Sequence, residues 1–273
     1  MSKPIVTTMH PLITSNQNPK IKNVLVLEKA RERNQQNVFI VEGIKELSLA
    51  LEGKYVVNTV FFCPQIIPHE AILKIVSDEN LLIPVQQSVF EKIAYRNSTG
   101  GILAIMQQRR HTLGDIKLRE NPLVLVLESV EKPGNLGAAL RTADAADIDA
   151  VIICDPQTDF YNPNVIRSSV GCIFTTQIAS STSQDTIAWL KKNNVSIFAA
   201  SLESSTPYNK IDFTIPSAII MGTESTGLSD TWIRNADSSV IIPMRGKIDS
   251  MNVSNAAAVL IFEACRQRGF GDR

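Results

Sequence analysis

Apolar runs of strand length alternate along this chain with stretches whose apolar residues recur at helical spacing. Near the start, Ile21, Val24, Leu25 and Leu27 form a stripe that predicts a helix over 18–33, with Lys20, Lys22, Lys29, Arg31 and Arg33 on its other face. Strand-like runs follow at 38–41, 59–63, 81–85 and 100–106, interleaved with helical patterns at 43–51, 70–77 and 88–95. The stretch 109–121 is polar and holds no sustained period, which marks a linker or a bridging helix. A second alternation then begins. Its strands are predicted at 124–128, 151–154, 176–178, 196–200, 218–221 and 240–242, and its helices at 136–146, 163–172, 184–193, 229–235 and 253–267. The pattern predicts a small α/β domain over 1–108, a linker over 109–121, and a second α/β domain over 122–273 whose sheet is mainly parallel with helices on both faces.

Composition narrows this picture in three ways. A hydrophobic content of 44% in 273 residues can fill a real core. No apolar run approaches the roughly 18 to 20 residues that span a bilayer, and the start has no apolar core of signal-peptide length, so a soluble, cytoplasmic protein is expected. Cys63, Cys154, Cys172 and Cys265 lie far apart and lack the paired spacings of a zinc or redox site, so they read as buried thiols, and no metal is expected. Net charge is zero, but residues 1–120 carry +4 and 121–273 carry −4. If either half meets a polyanion, the first is favoured.

Three clusters in the second domain each follow the end of a predicted strand, where α/β folds place their ligands. The first, KPGNLGAALRTA over 132–143, opens a helix through Pro133 and Gly134, with Asn135 as a plausible N-cap and Arg141 under two turns further on. Its glycines do not match the dinucleotide fingerprint GxGxxG. The second, MGTESTGL over 221–228, brackets Glu224 between two glycines, although Glu224 is equally suited to capping the next helix or pairing with Arg234. The third, IPMRGKIDSMNVS over 242–254, holds Ser250 and Asn252, one of which suits the N-cap of the last helix.

In order and spacing, NLGAALRTA, GTESTGL and IPMRGKIDSMNVS resemble the three signature motifs of the SpoU/TrmH family of RNA ribose 2′-O-methyltransferases, in the SPOUT superfamily. The segment around VFIVEGIKELSLAL is similar to the family's accessory RNA-binding domain, a small module of ribosomal-protein type. The resemblance implies a deep trefoil knot in the C-terminal domain, S-adenosylmethionine as cofactor, RNA as substrate, with 23S-type ribosomal RNA favoured over transfer RNA, and a homodimer formed through the knotted domain. Carried over position by position, it places Gly222, Ile242, Met251, Ala200 and Leu202 at the cofactor, and Asn135, Arg141, Glu224, Ser250 and Asn252 around the reacting centre. Ser225 stands where many relatives have Gly, and Met251 where many have Leu.

Arg141 is often read as a general base in this family. A guanidinium with a pKa above about 12 has no lone pair to offer, so the reading favoured here is an electrostatic clamp on the phosphate and on charge developing at the ribose oxygen. In the first domain, Lys20, Lys22, Arg31, Arg33 and Arg96 are candidate phosphate contacts, and Tyr95 a candidate stacking platform. The competing readings are a non-catalytic RNA-binding protein that retains the knotted fold and an ordinary doubly wound nucleotide-binding enzyme. The second would need a phosphate loop that is not present.

Overall fold

The structure, a computed structural model, describes residues 10–95, 100–204 and 206–269. These fall into two compact units, one comprising residues up to Arg109 together with Phe160–Thr175, the other comprising Arg110–Asp159 and the chain from Thr176 onward.

In the first unit, helices α1 (Pro19–Val26) and α2 (Ala30–Gln36) precede strand β1 (Val38–Glu42) and helix α3 (Ile44–Glu52). Strand β2 (Val57–Phe62), helix α4 (His69–Leu73), strand β3 (Leu82–Pro84), helix α5 (Gln87–Ile93) and strand β4 (Ile102–Gln107) complete it. The sheet order is β1-β4-β2-β3, with β4 antiparallel to both of its neighbours and β2 parallel to β3. Ile21, Val24 and Leu27 pack with Phe61, Phe90 and Leu103 in one apolar core, as the helical stripe requires.

The single helix expected over 18–33 is instead two helices, broken where Lys29 adopts an extended conformation. Arg33 explains how the break survives. Its guanidinium is 1% exposed and donates to the carbonyls of Leu27 at 2.8 Å and Glu28 at 2.7 Å, which the broken helix leaves without their usual partners. Arg33 is therefore corrected from a candidate phosphate contact to a structural brace. Lys20, Lys22 and Arg31 remain exposed, while Arg96 lies outside the described residues.

The segment 160–175 lies in sequence within the second alternation but packs in the first unit. Its helix α7 (Pro163–Ser168) is shorter than the 163–172 expected. The helix ends because Val170 and Gly171 both take positive φ, at 54° and 85°. Phe39 of β1 stacks on Tyr161 at 4.4 Å and on Phe174 at 5.7 Å between ring centroids, so an aromatic cluster holds the segment.

The second unit contains β5 (Leu123–Glu128), α6 (Pro133–Ala145), β6 (Ala150–Cys154), β7 (Ile178–Ser181), α8 (Ser183–Lys192) and β8 (Ser196–Ala200). It ends with β9 (Ser217–Met221), α9 (Asp230–Asn235), β10 (Ser238–Val240) and α10 (Val253–Gln267). Six strands run in the order β10-β8-β9-β5-β6-β7, and every pairing is parallel. The central strands LVLVLE and SAIIM are buried throughout, as continuous apolar runs in a parallel sheet should be. Val124, Val126, Ile152 and Ile220 share a core with Ile187 and Leu190 of α8 and Trp232 of α9. Alternation turns Leu125 and Ile219 to the other face, and α6 and α10 pack on each other there, with α10 also against β9 and β5.

Residues 109–121 form no long helix. A short 3₁₀ turn over Leu113–Asp115 carries a capping box from Thr112 and Asp115, and Leu113, Ile116 and Leu118 pack against the second core. Arg119 then pairs with Asp147 at 2.9 Å and Asp149 at 3.1 Å. All four cysteines are buried free thiols.

Candidate active site at the strand ends

The carboxyl ends of β8, β9 and β10, with Lys132 from the connection after β5, open into a cleft of about 950 Å³, within the second unit. Its most constrained wall is the loop leaving β9. A Cβ built on Gly222 would lie 2.2 Å from the backbone C and O of Gly227, so only glycine permits this approach. Thr223 and Gly227 exchange two backbone hydrogen bonds of 3.1 Å, and the amide of Thr226 donates to Thr223 Oγ1 at 3.0 Å. Gly227 turns the chain at φ +69°. The loop's far end is pinned by the buried carboxylate of Glu128, at the end of β5, which accepts the Ser229 amide at 2.8 Å and its hydroxyl at 2.6 Å. This tight hairpin carries Glu224 at its tip.

Glu224 joins the three sequence clusters. Its Oε1 accepts from the side-chain amide of Asn135 at 2.9 Å, in the first turn of α6, and from that of Asn252 at 2.8 Å, before α10. Asn252 also donates to Asn135 Oδ1 at 3.0 Å. The orientation of the Asn252 amide follows from its second duty. Asn252, rather than Ser250, is the N-cap of α10, and its Oδ1 accepts the Ser254 amide at 3.0 Å and hydroxyl at 2.6 Å, leaving Nδ2 for Glu224. Glu224 Oε2 pairs with Lys132. Lys132 above all, and then Asn135, hold the Glu224 carboxyl below the usual carboxylate range, with partial burial opposing them. Glu224 thus neither caps α9, which Glu128 anchors, nor pairs with Arg234, which bonds to Asp230 at 2.9 Å.

Gly222, Ile242, Met251, Ala200 and Leu202 all line the cleft. Ser250 lines it too, but its hydroxyl bonds to Asp249 at 3.1 Å and not to the Glu224 cluster. Arg141 is exposed on α6, outside the cleft lining, and makes no hydrogen bond or ion pair with the described residues. Asn135 lies inside the first turn of α6, whose N-cap is Lys132. Lys132 stands in the first sequence cluster with no legible role, because a lysine before Pro-Gly carries no signal of its partner.

A cleft walled by glycine-lined loops at parallel strand ends, with an amide and carboxylate cluster at its rim, suits a nucleoside-containing ligand held largely by backbone and apolar contacts. Comparison with known proteins agrees with the motifs. Residues 122–262 match the model of the SpoU rRNA Methylase family. The chain belongs to that family. Residues 18–104 match the MRM3-like substrate binding domain.

Among SpoU relatives, the chain is 28% identical to the 23S rRNA (guanosine(2553)-2′-O)-methyltransferase RlmP of Bacillus subtilis, over 92% of this chain and 97% of that protein. It is 27% identical to the 23S rRNA (uridine(2479)-2′-O)-methyltransferase of Streptomyces viridochromogenes, over 89% and 88%. The AdoMet-bound rRNA methyltransferase of Sinorhizobium meliloti superposes with a TM-score of 0.86 at 31% identity, covering 94% of this chain and 97% of that one. The SpoU methyltransferase AviRb of Streptomyces viridochromogenes, in complex with AdoMet, gives 0.84 at 26%, covering 93% and 100%.

Proposed function

We propose that this protein transfers the methyl group of S-adenosylmethionine to a ribose 2′-hydroxyl of RNA, with 23S-type ribosomal RNA favoured over transfer RNA. The observation that carries the reading is the cluster of Asn135, Glu224 and Asn252 at the rim of the strand-end cleft, in a SpoU-family chain whose relatives bear ribosomal RNA 2′-O-methyltransferase names. The cleft fits the cofactor. Its volume lies within the range of ligand pockets, and Gly222, Ile242 and Met251 offer backbone and apolar contact suited to an adenine ring. When bound, S-adenosylmethionine supplies the electrophilic sulfonium methyl.

The chain's own residues then position the ribose and stabilise charge. Asn135 and Asn252, held by Glu224, present polar groups beside the cleft where a sugar hydroxyl is to be oriented. Arg141 is free to hold a backbone phosphate bidentately and to stabilise charge developing on the ribose oxygen. The exposed Lys20, Lys22 and Arg31 bind RNA phosphates. A homodimer formed through the second unit belongs to this reading, since Ile248 is 70% exposed and Phe262 of α10 is exposed, apolar surface that a second copy would cover. So does a trefoil knot built from the loop 241–252 and α10. Among the described residues no helix is long and apolar enough to cross a membrane. A cytoplasmic location belongs to this reading through the ribosomal RNA methyltransferase names of the relatives.

The experiment is calorimetry with S-adenosylmethionine, followed by mapping of ribose methylation in total RNA with and without the gene. Cofactor binding and the loss of one ribosomal RNA methyl group are expected. Absence of cofactor binding would overturn the reading, and binding without methyl transfer to any cellular RNA would replace it with the non-catalytic RNA-binding one.

A further inference from the structure

Lys132 lines both the main cleft and an adjoining hollow of about 90 Å³ that also reaches Asn135, Glu224 and Val253. Its backbone is fixed, since it stands in extended conformation as the N-cap of α6 immediately before Pro133, whose ring disfavours a helical conformation there. Asn135 lies three residues on, its amide donating to the Lys132 carbonyl at 3.0 Å. Lys132 and Asn135 therefore leave the same rigid helix start and reach the two oxygens of one carboxylate, Lys132 at Oε2 and Asn135 at Oε1, while Asn252 reaches Oε1 from α10. Without the lysine, only neutral groups orient the carboxylate: the side-chain amides of Asn135 and Asn252 and the backbone amide of Val253.

The geometry points to Lys132 as a positioning residue of the methyl-transfer site: its ammonium group holds the Glu224 carboxylate in one orientation, and through it the amides of Asn135 and Asn252. This rests on the proposed function. The groups facing Glu224 are Lys132 at the N-cap and Asn135 in the first turn of α6, Asn252 at the N-cap and the Val253 amide at the start of α10, and Thr223 and Ser225 of its own loop. Glu131 lines the same hollow, and Asp230, Asp249 and Glu203 line the main cleft. Of these, Lys132 contributes most to drawing the Glu224 carboxyl down. Its removal lets that carboxyl rise toward its ordinary value, so an acid limb that depends on ionised Glu224 moves to higher pH.

The test compares full-length wild type, Lys132→Met and Lys132→Arg by carbon-detected NMR titration of the Glu224 carboxyl and by the pH profile of kcat on ribosomal RNA. Lys132 is two-thirds exposed, so thermal melts should show all three folded. In Lys132→Met the Glu224 carboxyl and the acid limb both move upward, and kcat at neutral pH falls about fivefold, the size set by a partly exposed pair. Lys132→Arg restores all three readouts. An unmoved Glu224 titration in Lys132→Met overturns the inference, as does a moved titration with an unmoved acid limb. Because the titration needs no RNA, an inactive wild type would count against the proposed function alone, and the titration would still decide whether Lys132 holds Glu224.

Discussion

Replacing Gly222 by alanine tests the architecture of the cleft at its tightest point. The added methyl would stand 2.2 Å from the backbone C and O of Gly227 and 2.5 Å from the Leu228 amide nitrogen, whereas real Cβ contacts essentially never fall below 3.0 Å. Nearly an ångström of movement is required, and the atoms that must move are backbone, not a flexible side-chain end. The two Thr223–Gly227 hydrogen bonds close the hairpin on one side, and the Glu128–Ser229 bonds anchor its end. Relief therefore means prying open the hairpin. Overpacking of this kind costs about 1–3 kcal/mol, and weakening the two backbone bonds adds about 1 kcal/mol more, for a total of about 3 kcal/mol. In a unit of this size that lowers Tm by about 6–12 °C. The same displacement tilts Glu224 away from Asn135 and Asn252, so S-adenosylmethionine affinity measured by calorimetry should fall at least about tenfold, or about 1.4 kcal/mol. A Gly222→Ala protein with unchanged Tm and unchanged cofactor affinity would refute the reasoning, because it would mean that the loop relaxes freely around the methyl.

Two further variants test which cations brace the fold and which meet RNA. Arg33→Met removes both bonds to the Leu27 and Glu28 carbonyls and should destabilise the protein by about 2–4 kcal/mol in urea unfolding, while leaving the salt dependence of RNA binding unchanged in the folded protein. Replacing Lys20, Lys22 and Arg31 together by alanine should do the reverse, reducing the slope of log affinity against log salt by about 2 to 3 with little change in stability. Arg141→Lys should retain little activity at any pH, because an ammonium cannot clamp a phosphate bidentately. Substantial activity that rises with pH through a lysine-like pKa would show instead that this position acts as a base.

Much of the fold was legible in local pattern. Val124–Leu127 and Ala218–Met221 are unbroken apolar runs, and such runs are stable only when both faces are covered, which is the condition of a parallel sheet's interior. The three polar clusters were likewise visible, because each interrupts that pattern just after a strand. Periodicity could not show the break at Lys29, since the stripe from Ile21 to Leu27 looks the same whether or not the helix continues, and a buried arginine is indistinguishable in sequence from a solvated one. Nor could it place Phe160–Thr175, which packs by aromatic contact with Phe39, a residue some 120 positions away.

For the site, the sequence by itself determined the chemistry available: Asn135, Glu224 and Asn252, with a glycine at 222 and a choice of N-cap between Ser250 and Asn252. Tertiary structure alone decided their relations. It made Asn252 the cap and so turned its amide toward Glu224, it set Lys132 against the same carboxylate, and it left Arg141 outside the cleft lining. The physical reason is that burial is encoded residue by residue in hydrophobic pattern, whereas a hydrogen bond between positions 135, 224 and 252 depends on the order in which parallel strands bring their ends together.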